Sequence, residues 1–221
     1  MKVIFAFYKK FRRLISRKGE EGEYSSGYLP SKVRDEFLNI CKTKTGKILE
    51  IGCGEGLFIS NLFKQTQALK IFAVDILKEG LLRAKERLGP QGLREVQLIE
   101  SDGGKLSFKD SVFDYVVCMN ALFNQRSSDN VKQIIEEAVR VAKKDAEIIV
   151  DIRNKKDLLT SLRYKLVKFY DFKCAVPLRQ YDPEEIINIF EISGAKVTEL
   201  KPMRAFLNLT KPITIIRAKK L

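Results

Sequence analysis

The chain has 221 residues, of which 45% are hydrophobic and 31% charged, a balance that excludes collagen-like, mucin-like and wholly disordered chains. Forty-one Lys and Arg against 28 Asp and Glu leave a net charge of +13, which points to an anionic partner, whether nucleic acid or a membrane surface. There is no His, which removes His-based triads, His–metal sites and the commonest general base at one stroke.

The cations are unevenly placed: residues 1–18 hold seven and no acid, residues 153–173 seven against two acids, and residues 196–221 seven against one. The remainder of the chain is slightly acidic. Cys41, Cys53, Cys118 and Cys174 are widely spaced without a CxxC pair, so neither a metal site nor a redox motif is expected, and the reading is a reducing, cytoplasmic compartment. No apolar run approaches the ~18–20 residues that cross a bilayer. After Met1-Lys2 the apolar run Val3–Tyr8 is followed by Lys9-Lys10, too short and wrongly flanked for a secretory signal.

Along the chain, residues 1–18 fit a basic amphipathic helix, with Ile4, Phe7, Phe11, Leu14 and Ile15 on one face. Residues 19–27 form an acidic Gly/Ser linker, completing an N-terminal unit over 1–29. The remaining 30–221 read as one domain. Pro30-Ser31 opens a helix. Strands are expected over 47–51, 70–75, 95–100, 113–118 and 146–151, with helices over 56–65, 78–88 (broken by Gly89-Pro90) and 129–143 (capped by Asp129). A basic, helical segment follows over 155–172, within a basic connection 153–181. Asp182-Pro183 starts another helix ending at Gly194, and two last strands occupy 195–200 and 212–218. Strands alternating with helices mean a doubly wound, mostly parallel α/β sheet with helices on both faces, closed by an antiparallel terminal strand.

Glu50-Ile-Gly52-Cys53-Gly54-Glu-Gly56 lies where the first strand turns into a helix. Glycines there allow a tight turn and close approach of a ligand to the main chain. Asp75 ends the second strand 19 residues after Gly56, where a carboxylate can accept from ribose hydroxyls, and Asp102 follows the third strand, within reach of an adenine amino group. The spacing GxGxG lacks the third glycine of the dinucleotide fingerprint GxGxxG.

These motifs resemble those of the S-adenosylmethionine-dependent methyltransferases with a Rossmann-like, seven-stranded fold, in particular the small-molecule branch. Ile48–Gly56 is similar to the first motif of that family, Ala73-Val-Asp75-Ile76 to the second, Ser101-Asp102-Gly103 with Leu106 and Phe108 to the third, and Phe113–Cys118 through Leu122 to the fourth. The resemblance covers about residues 30–221. It implies S-adenosylmethionine as cofactor. Glu50, Gly52, Cys53, Gly54 and Gly56 would lie at its methionine part, Asp75 and Ile76 at the ribose, Asp102 and Gly103 at the adenine, and Asn120 at the methionine amino group through its backbone. Tyr28, Arg179 and Tyr181 are candidate contacts to the methyl acceptor, and residues 153–181 would act as a lid. Many relatives carry Glu-His shortly after the position of Asn120; here Phe123-Asn124 stands instead. No catalytic base is assigned and no metal is expected, since in-line positioning against a sulfonium is the main requirement.

The function this implies is methyl transfer to a small molecule, with lipid-linked, quinone-like and glycan precursors as candidate acceptors. A nucleic-acid or ribosome methyltransferase and a non-catalytic cofactor-binding module remain as alternatives. Nucleic acid is less favoured, because phosphate binding needs a contiguous basic face. Residues 1–18 are open to two readings, a lid over the cofactor or a peripheral contact with an anionic membrane.

Overall fold

The structure, a computed structural model, describes residues 28–159, 161–162, 179–205 and 210–221. The basic helix expected over 1–18, the acidic linker, Cys174 and most of the connection 153–181 lie outside them.

Seven strands form one sheet: β1 (Gly46–Ile51), β2 (Leu69–Asp75), β3 (Val96–Glu100), β4 (Phe113–Cys118), β5 (Ala142–Arg153), β6 (Ala195–Ala205) and β7 (Thr210–Lys220). The helices are α1 (Tyr28–Cys41), α2 (Leu57–Gln65), α3 (Lys78–Glu95), α4 (Ser128–Val141) and α5 (Pro183–Ile192). The strand order is β3-β2-β1-β4-β5-β7-β6. β1 through β5 pair in parallel, and β7 runs antiparallel to both β5 and β6, as the missing crossover helix between the last two strands predicts.

Helices cover both faces. Val33 and Phe37 of α1, Phe58 and Leu62 of α2 and Leu81 of α3 pack with Ile48, Ile71 and Val117 on one side. Ile135 and Val139 of α4 and Phe190 of α5 pack with Leu49, Val116 and Ile148 on the other. Burial on both faces explains why the inner strands read as continuous apolar runs rather than alternating ones.

Three local expectations are corrected. The chain resumes helix after Gly89-Pro90 and continues to Glu95. Gly89 takes φ 63, ψ −178, and Pro90 then sits in the first turn of the second piece, where its missing N–H is harmless. Helix α4 is capped by Ser127, whose Oγ accepts from the Asn130 N–H at 3.1 Å, while Asp129 sits in the first turn facing the positive end of the helix dipole. That helix ends at Val141 rather than Lys143, because Ala142 already pairs with Phe113 of β4. The Asp182 cap of α5 stands as expected, accepting from the Glu184 N–H at 3.0 Å.

β1, β2 and β3 step outward in one direction, and the chain then crosses back to lay β4 on the other side of β1. The crevice above the carboxyl ends of β1 and β4 is therefore the place where an open parallel sheet binds ligands.

Candidate active site

The loop after β1 is built from left-handed glycines. Gly52, Gly54 and Gly56 have φ of 79°, 50° and 70°. A Cβ on Gly52 would stand 2.7 Å from that of Ala121 in the loop after β4, and one on Gly56 2.8 Å from that of Ala84 in α3. Gly54 differs, because nothing among the described residues lies within 4 Å of its Cβ position. Two of the glycines are thus required by packing, and the third leaves space above the main chain.

Asp75 at the end of β2 holds this loop. One of its carboxylate oxygens accepts from the Gly54 N–H at 2.7 Å and the other from the Leu77 N–H at 2.8 Å. Each oxygen keeps a second lone pair for a ligand hydroxyl. Glu55 is buried and carries an ion pair from Arg83 at 2.9 Å, and its carbonyl accepts from Arg87 Nε at 3.1 Å, so α3 clamps the loop from outside. Gly80 of α3 allows this approach, since a Cβ there would stand 3.1 Å from the Gly54 carbonyl oxygen. Sequence reading misses Gly80, Arg83 and Arg87, which carry no motif and act only through the fold.

Beside Asp75, Ile76 and Leu77 are 61% and 64% exposed. Asp102 follows β3, exposed, with one oxygen accepting from the Gly104 N–H at 2.9 Å. Gly103 packs where a Cβ would meet Ile51 Cγ2 at 2.7 Å. Apolar side chains open to solvent between two carboxylates form a surface suited to a flat heteroaromatic ring.

Glu50 on β1 is 2% exposed, and its Oε2 has no hydrogen-bond partner among the described residues. Burial pushes its carboxyl up to about 8, the Asp75 carboxylate adds to the rise and the Arg34 guanidinium opposes it. The thiols of Cys53 and Cys118 are likewise raised by burial, so neither offers a thiolate.

Beyond β4, Asn120 takes a left-handed φ of 53°. Its N–H donates to Asp151 Oδ1 at 2.5 Å and its Oδ1 accepts from Arg153 Nη2 at 2.8 Å. Asp151 and Arg153, both buried on β5, pair at 2.6 Å. Burial raises the Asp151 carboxyl and the Arg153 charge opposes that rise. The Arg153 guanidinium lies 4.1 Å from the centre of the Phe123 ring.

Two of the residues read from the sequence as acceptor contacts, Tyr181 and Arg179, are engaged within the fold. Tyr181 is 2% exposed, and its hydroxyl donates to the Leu122 carbonyl at 3.2 Å. Arg179 Nε donates to the Gln125 carbonyl at 3.0 Å, its Nη2 to that of Arg126, and its backbone N–H to that of Phe123. Both side chains hold the segment after β4 in place. Of Tyr28, the structure describes the start of α1 and nothing of the side chain. Glu50, the glycines, Asp75 and Asn120 are brought to the switch point together, with Asp102 on the β3 side.

The cradle fits S-adenosylmethionine: there is room above Gly54, a carboxylate with free lone pairs at Asp75, a buried acceptor without a partner at Glu50, and an exposed apolar pair at Ile76 and Leu77.

Comparison with known proteins agrees. Residues 48–145 match the family described as methyltransferase domain. Demethylmenaquinone methyltransferase of Bacillus mycoides is 24% identical over 191 residues, covering 76% of this chain and 78% of the relative. Among solved structures, a SAM-dependent methyltransferase of Methanosarcina mazei superposes with a TM-score of 0.63 at 19% identity, over 79% of this chain and 92% of that one. Magnesium protoporphyrin IX methyltransferase of Synechocystis, solved with bound SAH, superposes with a TM-score of 0.67 at 14% identity, over 97% and 100%.

Proposed function

We propose that the chain, whose residues 48–145 match the methyltransferase-domain family, transfers a methyl group from S-adenosylmethionine to a small, hydroxylated aromatic acceptor of quinol type. The observation that carries the cofactor half is the open face above Gly54, bordered by Asp75 on β2 and the partnerless Glu50 oxygen on β1. The acceptor half is supported by similarity to demethylmenaquinone methyltransferases over three quarters of the chain.

The bound cofactor supplies a methyl group on a sulfonium, which passes to a nucleophile while the bonding pair stays on sulfur. The protein's part is positional. Asp75 would accept from the ribose with its remaining lone pairs while its carboxylate ties down the Gly54 and Leu77 amides. Glu50 would take the ammonium side of the methionine, and Ile76 and Leu77 would face the adenine. The loop after β4 supports the acceptor side, with Asn120 held by the Asp151–Arg153 pair and the segment fixed by Tyr181 and Arg179. A phenol acidic enough to ionise near neutral pH needs no strong base, which suits a chain without His.

The test is calorimetry with S-adenosylhomocysteine. Wild-type protein binds it, and Asp75→Ala binds at least about tenfold more weakly. Hydrogen bonds to a charged acceptor contribute about 1.5–3 kcal/mol each, and the substitution also frees the Gly54 amide. Equal binding by the two proteins removes Asp75 from the site. Binding of NADH in place of the nucleoside thioether overturns the assignment. With labelled S-adenosylmethionine, label entering a reduced naphthoquinol supports the acceptor, and label entering only RNA overturns it.

A further inference from the structure

Asn120 presents a donor whose direction the fold leaves no choice about. Arg153 Nη2 lies 2.8 Å from the side-chain atom assigned as Oδ1. A guanidinium only donates, so the atom facing it is the amide oxygen and the NH₂ points the other way. That oxygen and the backbone N–H are both engaged by the β5 pair. Nδ2 is cut off from solvent and has no partner among the described residues. An amide donor left without a partner inside a native fold calls for an explanation. The residue also takes a left-handed φ, a conformation that costs energy even for Asn and collects at functional sites. It stands at the switch point, one residue before Ala121, whose Cβ lies against Gly52.

We infer that Asn120 Nδ2 is a specificity-determining donor to an oxygen of the methyl acceptor, so that the site selects oxygen-bearing, phenol- or enol-type acceptors over amines. This rests on the methyltransferase reading and sharpens its acceptor side. An amine nucleophile carries N–H groups and needs an acceptor at this point, and the Asn120 oxygen is turned toward Arg153, away from the side the NH₂ faces. A phosphate-type anion calls for a free cation, and the Arg153 guanidinium is paired to Asp151 and stacked on Phe123. A neutral donor suits a phenol oxygen, and favours its ionised form in a chain that lacks His.

The experiment follows the Asn120 side-chain amide in ¹⁵N-edited NMR spectra of the full chain. Its resonance pair is assigned as the one lost in both Asn120→Gly, which tolerates the positive φ, and Asn120→Asp. S-Adenosylhomocysteine is added to saturation first, confirmed by calorimetry, followed by anaerobic 1,4-dihydroxynaphthalene or by 1-aminonaphthalene. The proposal expects little movement with the nucleoside alone, a downfield shift of one Nδ2 proton with the diol and none with the amine. It also expects about tenfold weaker diol binding by Asn120→Gly, the effect of one hydrogen bond to a charged oxygen. A full shift with the nucleoside alone gives the donor to the cofactor and overturns the proposal. No shift with the diol, or an equal shift with the amine, overturns it as well. Failure of the nucleoside to bind appears in the first titration, before any acceptor is present, and removes the cofactor reading together with this one.

Discussion

At the scale of single residues, the site concentrates groups whose protonation is set by burial. The Glu50 carboxyl, raised from 4.5 to about 8, holds its proton more tightly in the folded chain than in the unfolded one. Its contribution to stability is therefore complete below about pH 4.5, falls as the pH rises toward 8, and is gone above that. Glu50→Gln is neutral throughout and lacks this slope. Thermal melting is expected to place the variant near the wild type at pH 5 and above it at pH 9. Parallel curves for the two proteins would put the titration in another group. The Asp151–Arg153 pair behaves differently, because removing one partner leaves the other charge buried. Arg153→Leu is expected to cost about 3–5 kcal/mol in urea unfolding, and it also frees the Asn120 oxygen. A loss below about 1 kcal/mol, the range of an exposed pair, would show that water reaches Asp151.

At the scale of elements, the glycine loop separates packing from binding. Gly54→Ala meets no neighbour among the described residues and there suffers only the left-handed backbone, which costs about 1–2 kcal/mol. The variant is expected to stay folded, yet to lose affinity for S-adenosylhomocysteine because the methyl group occupies the space above the loop. Gly56→Ala carries the same backbone penalty and drives its Cβ to 2.8 Å from the Ala84 Cβ and 3.1 Å from its Cα, so it must push α3 away. Its urea midpoint is expected to fall further than that of Gly54→Ala. If Gly54→Ala binds the nucleoside normally, the open face is not the ligand side of the loop. The kink in α3 belongs to the same scale. Gly89 turns the helix and Pro90 restarts it, which lets Leu88 and Gly92 pack while the chain still reaches Val96 of β3.

At the scale of the whole molecule, much of the basic character near the C-terminus is used internally. Arg217 reaches Glu199 at 2.6 Å and also pairs with Glu147, Lys219 pairs with Asp145 at 2.9 Å and Lys201 with Glu36 at 2.5 Å. Lys220 Nζ donates to the carbonyls of Arg140 and Ala142 at the end of α4. Cations committed to carboxylates and helix ends do not add up to a phosphate-tracking face. Among the described residues no helix is long and apolar enough to cross a membrane. Residues 1–18 carry seven cations together with Phe7, Phe11, Leu14 and Ile15 in sequence, and peripheral binding to an anionic membrane is the proposal for them. At about 1 kcal/mol per cation near an anionic surface, the full chain is expected to co-sediment with phosphatidylserine vesicles at low salt and release at high salt. Deleting 1–18 should abolish this while leaving S-adenosylhomocysteine affinity unchanged. A deletion that instead lowers that affinity, in a protein that ignores vesicles, identifies the segment as a lid.

The features legible in the sequence are those written in local spacing. Glycines alternating after a short apolar run, an acid closing the next strand, Asp-Pro opening a helix and a final strand pair without a crossover helix define a doubly wound sheet and its ligand end, because each reflects a backbone demand met within a few residues. For the α4 cap the sequence reading takes Asp129, and the geometry of the entering chain makes the cap Ser127 instead. Other features belong to tertiary structure alone. The order β3-β2-β1-β4 sets the loop of Gly52 against Ala121, makes Asp75 the tie of the glycine loop and buries Glu50 beside it. It also brings β5 next to Asn120, so that Asp151 and Arg153 engage two of its polar groups and leave a third without a partner among the described residues. Tyr181 and Arg179, read as acceptor contacts, turn inward for the same reason: carbonyls of residues 122–126, more than fifty positions earlier in the chain, lie within hydrogen-bond reach once β4 and β5 pair. Which atoms meet depends on long-range strand pairing and shared burial, and local periodicity carries no information about partners so far apart.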